Sequence, residues 1–189
     1  MIEIKGLKKT FNGREALKGI NLSIKSGEFY GLLGPNGAGK TTTISILSSI
    51  LNADSGKIII GDFDLNTQSK DIKKIIGVVP QEIALYNELS ALDNLFFWGG
   101  MYNVSHKELS NRAHKLLQLF GLEERKDDKV KNYSGGMKRR INIASALLHK
   151  PEVLFLDEPT VGIDPQSRNL IFEVVEKLHN QGMTIIYTT

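Results

Sequence analysis

The chain has 189 residues, 41% hydrophobic and 24% charged, with a formal net charge of +3. That is enough for one domain with a full core, or one with a small lobe, and its surface is too mildly basic to argue for nucleic acid or anionic lipid. The absence of cysteine excludes disulfides and thiolate metal sites and fits an intracellular protein, no apolar run nears the ~18 residues of a membrane span, and Met1-Ile2-Glu3-Ile4-Lys5 is no signal peptide.

Taken in chain order, Ile2 to Ile24 carries short apolar alternations broken by turns at Asn12-Gly13 and Ser26-Gly27, which predicts antiparallel strands. Phe29-Tyr30-Gly31-Leu32-Leu33 reads as a buried strand. It feeds Gly34-Pro35-Asn36-Gly37-Ala38-Gly39-Lys40-Thr41, which fits the phosphate-loop pattern G-x-x-x-x-G-K-[ST]. Thr41-Thr42-Thr43-Ile44 then opens a helix. Glycines let the backbone wrap closely around phosphate oxygens, and the helix presents unpaired amides and its positive dipole end to the same anion. Lys40 would reach the β- and γ-phosphates and the Thr41 hydroxyl would ligate Mg²⁺.

Lys57 to Ile60 predicts another strand. Ile75 to Val79, Val153 to Leu156 and Thr184 to Tyr187 are continuous apolar runs, as in a parallel sheet covered on both faces. Ser90 with Asp93 starts a short helix. Ser105 with Glu108 forms a capping box for a longer one, which Gly121 ends. Asp164-Pro165 caps and opens a helix toward Leu178. The predicted organisation is a β lobe and core over about 1–84, a helical subdomain over about 85–148, and core again over 149–189.

Two further segments carry chemistry. Asp157 and Glu158 stand at the C-terminal end of a buried strand, where α/β sheets place ligands. Adjacent residues project differently, so Asp157 can hold the Mg²⁺ shell while Glu158 faces a water for attack on the γ-phosphate. Tyr133-Ser134-Gly135-Gly136-Met137 opens a second helix with a hydroxyl and paired glycines, the ingredients of an anion site. From the residues alone it is either an ordinary serine cap or a site for a phosphate held by another copy. Lys138-Arg139-Arg140 reads as a solvated helix face. Phe11 reads equally as a strand aromatic packing the β lobe. Among Phe96, Phe97 and Trp98 at least one is expected in the core.

Across essentially its whole length, with its motifs in order, the chain resembles the ATP-binding cassette (ABC) family. Gly34 to Thr41 is similar to Walker A, Gln81 to the Q-loop glutamine, and Tyr133 to Met137 to the signature motif. Val153 to Glu158 is similar to Walker B and Gly162-Ile163-Asp164 to the D-loop. The resemblance implies a P-loop NTPase (RecA-like) α/β parallel-sheet core with an N-terminal antiparallel β subdomain and an inserted α-helical subdomain. It implies ATP and Mg²⁺ as cofactors, with Phe11 stacking on adenine. Gly34, Pro35, Asn36, Gly37, Ala38, Gly39, Lys40, Thr41 and Thr42 would bind nucleotide. Thr41, Gln81 and Asp157 would attend the metal, with Glu158 as general base and Gln81 reporting on Mg²⁺ and the attacking water. Ser134, Gly135 and Gly136 would act in trans on ATP held by a second cassette, in a head-to-tail homodimer.

The implied role is the ATPase subunit of a transporter on the cytoplasmic face of the membrane. Its partner would be a separate membrane-spanning permease subunit that docks on part of the helical insertion, and no nucleic-acid partner is expected. The competing expectation is a soluble ABC ATPase acting on DNA or ribosomes; a nucleotide-gated regulator without turnover is a third. The signature departs from Leu-Ser-Gly-Gly-Gln, and its Met-Lys-Arg-Arg continuation resembles ABC-2-type exporter subunits. The family's switch histidine would follow Thr189, so a truncated chain that binds ATP but turns over poorly is expected.

Overall fold

A computed structural model describes all residues 1–189. The chain folds as two compact units, one formed by Met1–Val78, Glu152–Asp157 and Gly182–Thr189, the other by Val79–Pro151 and Glu158–Gln181.

The first unit holds two sheets. Strands β1 (Ile2–Phe11) and β2 (Arg14–Ile24) form a hairpin whose two-residue turn places Asn12 at φ 47° and Gly13 at φ 80°, the left-handed pair that such a turn requires. β3 (Phe29–Leu32) leads into α1 (Lys40–Leu47). β4 (Ser55–Ile60) and the two-residue β5 (Phe63–Asp64) complete an antiparallel sheet of order β2-β1-β4-β5. Alternation along β1 buries Ile2, Ile4 and Leu7; Ile2 sits between Ile24 and Ile60, so one face of this sheet is core.

α2 (Ser69–Ile75) precedes β6 (Ile76–Val79), and β7 (Val153–Asp157) and β8 (Thr184–Thr188) complete the second sheet, of order β3-β8-β7-β6. β8 runs parallel to both β3 and β7. Every residue of β7 and β8 is buried, as their uninterrupted apolar sequences predict. β3 differs from its expectation. It takes an outer position with one neighbour, so it is not a buried strand, and Phe29 is 42% exposed. Ile2, Ile60, Leu47, Phe155 and Ile186 share one hydrophobic core.

The second unit is helical: α3 (Ala91–Gly100), α4 (His106–Leu119), α5 (Gly135–Leu147) and α6 (Pro165–Asn180). α3 packs on α4 closely enough that a Cβ on Gly99 would fall 2.1 Å from Leu109 Cδ1, so a larger residue there requires Leu109 to shift. Leu95, Leu109, Ala113, Leu117, Phe120 and Ile141 are buried. The fold is the expected one, a RecA-like P-loop core with an antiparallel β subdomain and an inserted helical subdomain. One cap is simpler than predicted. Ser105 Oγ accepts from the Glu108 amide at 3.4 Å, but the Glu108 carboxylate pairs forward with Arg112, one helical turn on.

Candidate functional site: a phosphate loop and two paired acidic positions

In the first unit the phosphate loop connects β3 to α1. Gly39 caps α1 at φ 91°, a left-handed conformation in which a Cβ would also meet Leu17 Cδ2 at 2.5 Å. Glycine is therefore required twice over. No side chain caps α1 and no acidic residue occupies its first turn, so the first amides and the positive dipole end are presented outward. Lys40 is buried, and its Nζ donates to the carbonyls of Gly34 at 2.6 Å and Pro35 at 3.3 Å. These bonds curl the loop around the ammonium. Thr41 is exposed, whereas Thr43 turns inward and its hydroxyl donates to the Gly39 carbonyl at 2.8 Å.

Beside the loop lies a cleft of about 960 Å³, lined by Phe11, Arg14, Ala16, Gly37, Ala38 and Thr42 among others. Phe11 is 45% exposed and stands beneath Lys9 Nζ, 5.4 Å from the ring centroid. The ring is thus a wall of the cleft that holds the loop, rather than core of the β lobe. Arg14, also on the wall, carries no motif and is absent from the sequence-level reading.

Asp157 ends β7 with only 2% of its surface exposed, and its carboxylate accepts from the Thr188 hydroxyl at 2.6 Å. Strand pairing sets this contact, since Asp157 and Thr188 are register partners. No cluster of three or more acidic, histidine or cysteine side chains could hold a metal by itself. The oxygen donors of Asp157 and Thr41 instead suit Mg²⁺, which binds through one or two carboxylate or hydroxyl ligands plus substrate phosphates and water.

In the second unit Gln81 and Glu158 meet: Gln81 Nε2 donates to Glu158 Oε2 at 3.1 Å. Gln81 is exposed and Glu158 half-buried. Glu158 has φ 46°, a left-handed conformation in an L-residue, directly before Pro159. Backbone strain of this kind persists where the surroundings impose it.

Ser134 caps α5, accepting from the Met137 amide at 3.2 Å. Ser134 and Gly135 are exposed and Gly136 is buried. A Cβ on Gly136 would lie 2.1 Å from Ser167 Oγ and 2.6 Å from Asp164 Oδ2, so the second glycine is fixed by the start of α6. Asp164 caps that helix through the Ser167 amide at 2.8 Å. Tyr133 is buried; its hydroxyl donates to the Arg125 carbonyl at 2.6 Å, and burial raises the phenol above its usual pKa.

The basic triplet is not a solvated face. Arg139 is 5% exposed and donates to the carbonyls of Pro80, at 2.7 Å, and of Gln81. Half-buried Arg140 reaches the Phe120 carbonyl at 2.9 Å, and Lys138 the Asn87 side chain at 3.2 Å. All four of these bonds go to chain at least 20 residues away in sequence, which no local charge pattern reveals. None of the aromatic trio is buried, against the expectation of one in the core: Phe96 and Trp98 are half-buried, and Phe97 is 39% exposed, edge-on to Tyr86 at 4.6 Å.

A family model described as ABC transporter matches residues 17–161. The chain is 53% identical over 189 residues to the linearmycin resistance ATP-binding protein of Bacillus subtilis (strain 168), covering 100% of this chain and 61% of that protein. It is 39% identical to the daunorubicin/doxorubicin resistance ATP-binding protein of Streptomyces peucetius, covering 100% and 57%. The chain thus spans roughly three-fifths of the length of these relatives. Among solved structures, a dimeric bacterial ABC transporter cassette superposes with a TM-score of 0.90 at 31% identity, covering 100% of this chain and 88% of that one. A dimeric post-hydrolysis state of an ATP-binding cassette bound to ADP and Pi gives 0.89, also at 31% identity. On sequence and fold together, the chain belongs to the ABC transporter family, as its ATP-binding cassette domain.

Proposed function

We propose that this chain binds and hydrolyses ATP to power an exporter, working as a head-to-tail pair of cassettes on separate membrane-spanning subunits. The observation that carries the reading is the hydrogen-bonded Gln81–Glu158 pair, set next in sequence to buried Asp157, in a chain that also holds a complete phosphate loop.

Adenine stacks on Phe11 in the cleft and the phosphates lie against the loop amides and Lys40. Thr41, Asp157 and Gln81 would serve Mg²⁺, which when bound would supply charge neutralisation at the phosphate oxygens. Glu158 accepts a hydrogen bond from the attacking water and takes its proton as the bond to the γ-phosphorus forms. Gln81 orients the carboxylate for that step, and ADP and inorganic phosphate leave. Exposed Ser134 and Gly135 at the start of α5 complete the γ-phosphate site of a second copy; a dimeric cassette among the similar structures supports this arrangement. Hydrolysis removes the charge that held the two copies together.

Export is supported by the names of similar proteins, which confer resistance to linearmycin and to daunorubicin and doxorubicin or serve Nod factor export. No helix is long and apolar enough to cross a membrane. The similar proteins are named ATP-binding proteins, which supports a transport path formed by other polypeptides, with this chain at the cytoplasmic membrane face. The exposed Tyr86–Phe97 pair in the helical unit offers an apolar docking point for that partner. Purification from gently solubilised cells tests the reading. A stoichiometric polytopic membrane protein is the expected companion; ribosomes or nucleic acid in its place would overturn it.

A further inference from the structure

The segment from Pro80 to Ala84 has little packing of its own: Gln81, Glu82, Ile83 and Ala84 are all exposed. Its backbone is nevertheless held from one helix. Arg139 on α5 forks onto two consecutive carbonyls, those of Pro80 and Gln81. Three residues along the same helix, Asn142 Oδ1 accepts from the Ala84 amide at 3.1 Å. Both side chains are buried, at 5% and 2% exposure, and residues three apart share a helix face. A guanidinium is suited to this grip, because its planar donors satisfy two carbonyls at once where an ammonium behaves as a point charge.

We propose that Arg139 is a positioning residue for hydrolysis: it fixes the Gln81 backbone so that the side-chain amide stays on Glu158, and Asn142 is the second tether. This role rests on the reading of Gln81 and Glu158 given above. It makes α5 a lever. The same helix carries Ser134 at its start and, five residues on, grips the segment that aims the catalytic carboxylate, so a displacement of the Ser134 end is felt at Glu158. The phosphate loop and Phe11 take no part, so nucleotide affinity measured without Mg²⁺, the ion assigned in part to Gln81, is independent of the grip.

The test compares Arg139→Met and Arg139→Lys with the unmodified protein, alone and combined with Gln81→Ala. Amide hydrogen exchange over residues 81–84 reads the tether, fluorescent-nucleotide titration without Mg²⁺ reads affinity, and phosphate release with Mg²⁺ reads kcat and KM. Expected for Arg139→Met are faster exchange across 81–84, nucleotide affinity within about twofold, and kcat lower by on the order of tenfold, short of the ~10² that a misplaced group can cost. Arg139→Lys keeps the charge, restores one carbonyl bond and recovers part of the rate. In the Gln81→Ala background the Arg139 substitution should have little further effect on kcat, because both changes act through one contact.

Unchanged exchange, or faster exchange with kcat intact, overturns the role, and so does a full additive loss in the Gln81→Ala background. If Arg139→Met does not fold, Arg139→Lys and Asn142→Ala carry the same comparison. A parent protein that binds nucleotide and releases no phosphate even in a single turnover overturns the catalytic reading and this role together, while the exchange data still show separately whether the grip exists.

Discussion

The side-chain amide of Gln81 donates to the Glu158 carboxylate over 3.1 Å, joining residues 77 positions apart. The contact occupies one carboxylate oxygen and restricts the other's direction, which suits the general-base role proposed for Glu158. Glu158 keeps a left-handed backbone at φ 46° to stand there. Replacing it with glycine would relieve the strain and remove the carboxylate together; glutamine separates the two effects.

Thr188 is the partner of the buried Asp157 carboxylate. Thr188→Val keeps the shape and leaves a buried carboxyl oxygen short of a donor, a loss of about 1–3 kcal/mol. Urea unfolding should show a lower midpoint at constant slope, and the Mg²⁺ concentration for half-maximal ATP hydrolysis should change with it.

Gly136 accepts no side chain, since its Cβ would collide with Ser167 and Asp164. Gly136→Ala is expected to destabilise the protein by about 1–3 kcal/mol through overpacking. Adding Ser167→Gly removes the nearest obstacle and should recover part of that loss in a thermal or urea melt.

Phe11 forms the wall of the 960 Å³ cleft and is 45% exposed. Base–aromatic stacking is worth about 1–3 kcal/mol, so Phe11→Ala should weaken ATP binding on the order of 5- to 150-fold. Stability should move by no more than about 0.5 kcal/mol, as for an exposed site. Phe11→Trp should retain binding and report it as indole quenching.

Asp164 is held below its ordinary pKa of 3.8, first by the Ser167 amide and then by the Ser167 side chain. A carboxylate with a depressed folded pKa stabilises above its unfolded pKa, and the contribution is lost as pH falls through the folded value. The stability gap between the protein and Asp164→Asn should therefore be full at neutral pH and close below 3.8. Paired urea titrations across that range measure it, the common background of other carboxylates cancelling in the difference.

What could be read from the sequence divides by distance along the chain. Ser90, Ser105, Ser134 and Asp164 each cap a helix through an amide three residues on, and the phosphate loop is eight consecutive residues, so local pattern suffices. β7 and β8 announce themselves as unbroken apolar runs. The outer place of β3 and the two-residue β5 have no such signal, because pairing order is decided by the whole sheet. Arg139 is the sharpest miss. A cation between a methionine-lysine pair and another arginine looks solvated, yet the carbonyls of Pro80 and Gln81, brought from about sixty residues away, accept from it where it is buried. Thr188 is hidden likewise, 31 residues from Asp157 until β7 and β8 pair.

The central claim is that ATP joins two copies and that Glu158 ends the union by promoting hydrolysis. Light scattering of Glu158→Gln with Mg²⁺ and either ATP or ADP tests it most directly, because this variant keeps the phosphate loop and loses the base. The expected result is a doubled mass with ATP, a single mass with ADP, and phosphate release lowered by on the order of 10²-fold or more. A mass that is the same with both nucleotides, or phosphate release unchanged by the substitution, would contradict the account.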